Sequence, residues 1–360
     1  MSKMPPKDSR LKQKRIFVGF NSAGAAGIYA FTRVLQRRGY RIDFYGLGSQ
    51  TFKMPVDFLL TFSAHPVRNF FERVVYFFKL LPRYDLWHFN FLECFFFYPV
   101  NLLILKLFGK KIILTCRGAD VRDRLDFLPR NFFSQAHSWP QYYQKQQHRP
   151  FWLRLKQKIR LQIFLYFADK VVLTGPFLAG AVGRFDKIIP YARDIPGKIN
   201  LKKNHQKIKI LHIPSESLVK GTEIIQKTFR KLQKKYKNCQ FKILEPMPRP
   251  QLLKELDRAD IVVDQILVGW YGGQAVEAMA KGKIVVAFLN PTYLALVDFG
   301  QEIPIWKTTP WSLAADLETL LEVYPAIQKK WAQKSFDFAR KIHRSEKIAQ
   351  QYLEIYRELE

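Results

Sequence analysis

Two periodicities alternate along this chain. Short apolar runs that read as strands are separated by longer stretches in which apolar residues return every third or fourth position, the spacing of a helix with one buried face. Arg15–Phe20 is the first such run; a small-residue loop, Ala23–Gly27, leads into a helix over Ile28–Arg38 that Gly39 ends, and Arg41–Tyr45 is the next strand. Leu86–Asn90, Lys111–Thr115 and Lys170–Thr174 follow as strands, with long helical patterns between them. The lysine-rich stretch Pro196–Gln206 reads as a linker, after which the pattern restarts with strand Ile208–Ile213, helix Gly221–Tyr236 and strand Gln240–Leu244. A short helix from Gln251, strand Asp260–Asp264, a loop at Gly269–Gly273, a helix from Gln274 and strand Lys283–Phe288 come next, and helices fill most of Trp311–Glu360. Strands spaced by helices predict parallel sheets covered on both faces. The fold class is therefore α/β, with two doubly wound domains in series and a ligand between them at the C-terminal strand ends. The predicted boundaries are a basic tail over 1–14, a first domain over 15–200, a second over 201–335 and a C-terminal helix over 336–360.

The most apolar stretch, Phe89–Phe108, is broken by Glu93, Pro99, Asn101 and Lys106. A spanning helix wants about 20 mostly apolar residues and pays heavily for central charge, so the stretch reads as the end of a strand followed by a buried helix. The N-terminus imitates a secretory signal, with a basic stretch to Arg15 and then Ile-Phe-Val-Gly-Phe, but Asn21 and Ser22 interrupt the apolar part at once. A strand entering a glycine loop explains these letters better, and the expected location is cytoplasmic.

Composition adds one unusual quantity. At 48% hydrophobic and 25% charged residues the chain is ordinary globular material, which excludes a disordered one. Cys94, Cys116 and Cys239 are far apart with no Cys-x-x-Cys pair, which excludes a disulfide framework or zinc finger. The charge, however, is 59 Lys and Arg against 30 Asp and Glu, a net of +29. Residues 1–200 hold 33 basic and 12 acidic side chains (net +21), the remainder 26 and 18 (net +8). The first half carries the field, and its partner is anionic: a membrane surface, a phosphorylated substrate or a nucleic acid.

The candidate chemistry lies in ADIVVDQILVGWYGGQAVEAMAKGKIVVAF, from Ala259 to Phe288. A strand runs into a glycine loop and a helix opens after it. Such glycines let backbone N–H groups approach an anion, and the helix N-terminus adds partial positive charge. Glu277 is expected in the first helical turn, where its carboxylate either accepts from two ribose hydroxyls or merely complements the helix dipole.

This segment resembles the donor-binding region of family 4 glycosyltransferases, in one bacterial branch of that family. Other pieces fall in the family's order: the loop Asn21–Gly27 before a helix ending Arg-Arg-Gly-Tyr, the run LTCRGADVR over Leu114–Arg122, Leu173–Pro176 with Ile189–Asp194, and HIPSESLVKGT over His212–Thr222. The resemblance implies the GT-B fold, two Rossmann-like domains facing across a cleft with C-terminal helices. It implies transfer of a sugar from a nucleoside-diphosphate donor to a lipid-linked or cell-surface glycan, with retained configuration. Lys220 would neutralise the donor diphosphate (or be a solvated first-turn lysine), and Gly272 and Gly273, beside Tyr271 in the same donor loop, would admit the phosphates (or form a plain tight turn). Glu277 would take the ribose, and Gly24 would allow backbone approach to donor or acceptor. Arg117, standing where the family has histidine, would contact the donor sugar or a phosphate, and Asp120 with Arg122 would serve the acceptor side (or pair structurally). Lys220, Glu277 and Arg117 are the catalytic candidates. Two further departures are Gly269, where the family has its first glutamate, and Ser215 or Ser217 in place of a basic residue. The seven histidines show no metal-ligand spacing and no Asp-x-Asp pair occurs; GT-B enzymes generally need no metal, so neither metal nor cofactor is expected.

The family's first domain usually takes the acceptor, and here it is the charged one. Val67–Arg83 sets Arg68, Arg73, Lys79 and Arg83 among aromatics, and Phe151–Phe167 sets Arg154, Lys156, Lys158 and Arg160 beside Trp152, Leu155, Ile159, Ile163 and Tyr166. Basic residues alternating with aromatics on a helix suit the interface of an anionic membrane, which would place the protein peripherally on the inner face of the cytoplasmic membrane. The plainer alternative is that these helices bury their aromatics against the sheet. Two other functions compete: a catalytically degenerate donor binder, and a polyanion or nucleic-acid binder, for which no recognition motif is present.

Overall fold

The computed structural model of the chain describes residues 6–20, 25–48, 56–118, 121, 151–199 and 207–360. The described residues divide into two compact units, one within 1–123, 150–192 and 345–360, the other within 193–344. Among the described residues no helix is long and apolar enough to cross a membrane.

In the first unit, strands β1 (Arg15–Gly19), β2 (Arg41–Leu47), β3 (Phe58–Leu60), β4 (Leu86–Asn90), β5 (Lys111–Cys116), β6 (Lys170–Leu173) and β7 (Lys187–Ile188) form one sheet in the order β3-β2-β1-β4-β5-β6-β7. Every pairing is parallel, so both faces must be covered. Along β1, Ile16 and Val18 join Phe31 and Leu35 of α2 (Ala25–Arg37) and Ile348, Tyr352 and Tyr356 of the C-terminal helix Ser345–Arg357. Phe17, one residue out of phase, turns the other way and packs on Trp87, ring centroids 4.6 Å apart. Trp87 in turn meets Phe77 of α3 (Pro66–Leu80). Right-handed crossovers set α3, α4 (Tyr98–Leu107) and α5 (Phe151–Phe167) on this second face. The described part of the tail is not extended, because residues 6–13 form helix α1 (Pro6–Gln13) and Leu11 is fully buried.

The second unit has β8 (Ile208–His212), β9 (Cys239–Ile243), β10 (Ile261–Val263), β11 (Ile284–Ala287) and β12 (Ile305–Lys307) in the order β12-β11-β10-β8-β9, again all parallel. Its main helices are α6 (Thr222–Lys235), α7 (Arg249–Arg258), α8 (Gly273–Ala280) and α9 (Leu313–His343). Strand order reverses between β8 and β10, and a crevice at the C-terminal ends of the strands flanking such a reversal is where this architecture binds ligands. Ala275 to Ala280 are all buried, and Glu277 is the one charged residue among them.

Three predictions from the sequence need correcting. Glu277 is the fifth residue of α8, one full turn from its start, and the first turn holds no acid. The helix within Phe89–Phe108 is not buried throughout: Asn101, Leu102 and Leu105 are, but Val100, Leu103 and Leu107 face solvent. The helix Val67–Arg83 ends at Leu80, where a 3-10 turn over Leu81–Arg83 takes over at Pro82.

Candidate functional site

The site is assembled where β8 and β10 end. His212 closes β8, and its ring ties the two strands together. Nδ1 lies 2.8 Å from the Val263 carbonyl, which can only accept, so Nδ1 carries the proton and Nε2 accepts from Thr222 Oγ1 at 2.9 Å. Burial, the largest effect, pushes the His212 pKa down to about 4; the bond to Val263 and Asp264 oppose this shift, and Lys220 adds to it.

Beyond β10 the chain reaches Asp264, whose side chain is wholly buried. One carboxylate oxygen accepts from Lys220 Nζ at 2.6 Å and the other from the Gly272 N–H at 2.8 Å. Lys220 ends a single helical turn over Ser217–Lys220 and is itself buried, so the reading of it as a solvated lysine is set aside. Gly221 makes this turn possible. Its φ is +79°, and a Cβ there would come within 2.7 Å of Ile266 Cγ1, so both backbone conformation and space demand glycine. The Lys-Gly-Thr letters thus carry a folding reason: they drive the lysine inward against Asp264.

Within the loop after β10, Gly269 has φ +79°. A glutamate there, as in the resembled family, would need a left-handed backbone that costs an ordinary residue roughly 1 kcal/mol. The loop's second anchor is Tyr271. It is 1% exposed, stacks on Trp270 and bonds through its hydroxyl to His343 Nε2 of α9 at 3.0 Å. It holds the loop onto α9. Tyr271→Phe is expected to cost about 1 kcal/mol of stability, read as a lower urea midpoint, with nucleotide-sugar affinity unchanged.

After Tyr271 the chain enters α8 with no side-chain cap at Gly272. The Gly272 amide, expected to meet a phosphate, donates to Asp264. The Arg193 guanidinium lies where a Cβ on Gly273 would be. Arg193 continues to Glu277, its Nε 3.1 Å from Oε1, and Arg249 Nε donates to the same oxygen at 2.8 Å. Glu277 is therefore clamped by two arginines on Oε1. The contacts run continuously: Lys220, Asp264 and Gly272, then Gly273, Arg193, Glu277 and Arg249.

Three side chains of this network, Asp264, Arg193 and Arg249, were given no role by the sequence. Asp264 had a signal, an acid closing an otherwise apolar strand; the two arginines had none, because only tertiary folding brings them to Glu277. In the first unit, Arg117 follows β5 and is buried, donating through Nε to Asn90 Oδ1 at 3.0 Å. Gly24, Asp120 and Arg122 lie outside the described residues.

No protein-family model matches the chain, and no curated protein does. Solved structures match over nearly its full length. HepE (Alr3699) of Anabaena in complex with UDP-glucose aligns at a TM-score of 0.62 and 14% identity, covering 95% of this chain and 98% of HepE. Sucrose-phosphate synthase of Thermosynechococcus elongatus aligns at 0.62 and 16%, covering 96% and 99%. WaaG, a glycosyltransferase involved in lipopolysaccharide biosynthesis, aligns at 0.52 and 13%, covering 95% and 99%. The chain has the GT-B fold.

Proposed function

We propose that the protein is a glycosyltransferase that moves a sugar from a nucleoside-diphosphate donor to a hydroxyl of a lipid-linked or cell-surface glycan, with retention of configuration, as a member of the family 4 branch it resembles. The observation that carries this reading is Lys220, held by buried Asp264 beside the amide of Gly272 where β8 and β10 end. An ammonium has three donors, so Lys220 can keep Asp264 and still meet a phosphate oxygen. Asp264 would fix the lysine's position, and Arg193, against Gly273, would add a planar guanidinium suited to phosphate. The uncapped first turn of α8 would supply further N–H donors. Glu277 would offer the ribose its second oxygen, since both arginines act on Oε1.

In the step proposed, the bond from the anomeric carbon to the phosphate oxygen breaks as the acceptor oxygen bonds to that carbon on the same face. The acceptor's proton passes to the departing phosphate. Negative charge grows on the diphosphate, and fixed cations lower the barrier because they need not reorganise. Arg117 is assigned a contact with the donor sugar or a phosphate, and Gly24, Asp120 and Arg122 the roles the resemblance implies. No resident metal or cofactor takes part in the proposal, and the work would be done at the cytoplasmic membrane face.

Two observations favour a second reading, a donor binder without turnover: Gly269 replaces a family glutamate in a left-handed conformation, and Glu277 is clamped by two arginines. A panel of UDP- and GDP-sugars separates the readings. A donor at a hundredfold its Kd stabilises by about 2.7 kcal/mol, read as a higher melting temperature that Glu277→Ala loses. Transfer or slow hydrolysis of the same sugar supports the enzyme, and binding alone supports the second reading. If no nucleotide or nucleotide sugar moves the transition, both are wrong.

A further inference from the structure

Helix α3 is amphipathic the wrong way round. Val67, Phe70, Phe71, Val75 and Phe78 recur at helical spacing and form one stripe, yet all five are exposed, Phe71 to 60%. Three of its polar residues, Asn69, Glu72 and Arg73, are turned inward, while Arg68 and Lys79 stay exposed. Glu72 accepts from the Ser63 N–H at 2.7 Å, Asn69 donates to the Ser63 carbonyl, and Arg73 lies over the Phe62 ring and donates to the Phe95 carbonyl.

The two neighbouring helices repeat the pattern. On α4, Val100, Leu103 and Leu107 face solvent; on α5, Trp152, Leu155, Ile159 and Tyr166 do, the last to 82%. The three helices are contiguous. Phe96, just before α4, packs against Phe70 and Phe77 of α3, and Arg160 of α5 stacks over Tyr98 at the start of α4 at 4.6 Å. Right-handed crossovers place all three on one side of the sheet. One outer layer of the first unit thus carries aromatic and aliphatic stripes on three adjacent helices, far more than the isolated apolar residues any surface shows.

Charge selects the occupant. The three helices carry eight Lys and Arg against one acid, Glu72, and Lys110 and Lys111 follow α4. Apolar stripes flanked by basic side chains match a bilayer whose headgroups are anionic and whose interior begins a few ångströms below them. A protein partner would also bury such stripes, but self-association would bring one net-positive layer against another.

We propose that this layer, α3 with α4 and α5, is a membrane-docking face that inserts its apolar stripes into an anionic leaflet. The inference does not depend on the sugar-transfer reading, whose carrying observation, Lys220 with Asp264, lies in the other unit. Full-length protein is tested by flotation with vesicles of phosphatidylcholine alone or with phosphatidylglycerol added. The expected result is partitioning onto the anionic vesicles, reduced roughly fivefold by each of Lys79→Ser and Lys156→Ser and by tenfold or more by Phe70→Ser with Phe71→Ser. These side chains are exposed, so the variants should keep the parent's circular dichroism, melting temperature and response to nucleotide sugars. The proposal is overturned if partitioning is absent, indifferent to anionic lipid or unchanged by Phe70→Ser with Phe71→Ser. It is equally overturned if light scattering shows a dimer that this double variant dissociates.

Discussion

Lys220→Ala is expected to lower turnover of the donor found in the nucleotide-sugar panel by about a thousandfold, the scale seen when a fixed group facing developing charge is removed. The same change strips Asp264 of its cation, and a buried charge left alone costs roughly 3–5 kcal/mol. Lost activity could then reflect lost folding. A second substitution separates the two. Asp264→Asn keeps the shape and an oxygen for the Gly272 amide but removes the charge. The double variant Lys220→Ala with Asp264→Asn should therefore recover most of the stability, read as a urea midpoint, while its turnover stays near that of Lys220→Ala. Coupling of this kind is what residues in direct contact show. If turnover returns together with stability, Lys220 is a structural lysine and the proposed phosphate contact is wrong. Asp264→Asn alone should lower turnover less than Lys220→Ala does, because the ammonium stays in the site although, with the one amide oxygen turned to Gly272, it loses both the charge and the acceptor that fix it.

How much of this was legible in the sequence follows from which forces act locally. The buried parallel strands were readable because an apolar run between polar flanks is a local signal: Leu86–Asn90 was predicted with the bounds it has, and most others within a residue or two. The edge strands β3, β7 and β12 were not, since two or three residues become a strand only through the neighbour they pair with. Periodicity found the stripe on α3 but could not say which way it faced. That is decided by Ser63 and Phe95, whose backbone groups hold Glu72, Asn69 and Arg73 inward. The loop Gly-Trp-Tyr-Gly-Gly marked the site, yet nothing local distinguished an aromatic facing a ligand from one reaching His343 on α9. The C-terminal helix was legible as a helix, but its return to the first unit rests on Tyr352 stacking with Phe31, ring centroids 4.3 Å apart.

Each unit also contains a buried neutral histidine, which gives the protein a specific acid sensitivity. In the first unit His88 bonds Thr115 Oγ1 at 2.7 Å and Tyr356 OH at 2.8 Å, joining β4, β5 and the C-terminal helix. Burial, and secondarily the nearby Arg117, push its pKa down to about 3; His212 in the second unit is down to about 4. Unfolded, both would titrate near 6.5. Because the folded values are depressed, the unfolded chain binds more protons in this window, so stability falls as pH falls. The contribution is complete above about pH 6.5 and is lost progressively down to about pH 4 for His212 and about pH 3 for His88. Between pH 7 and 4.5 each unit should lose roughly 2–3 kcal/mol from its histidine, seen as a falling urea midpoint. His212→Gln and His88→Gln should start less stable at pH 7, since each breaks buried hydrogen bonds, but should descend less steeply through the window. A parent midpoint flat from pH 7 to 4.5 would show that these rings do not titrate on unfolding, and equal non-zero slopes in parent and variants would assign the acid response to the carboxylates.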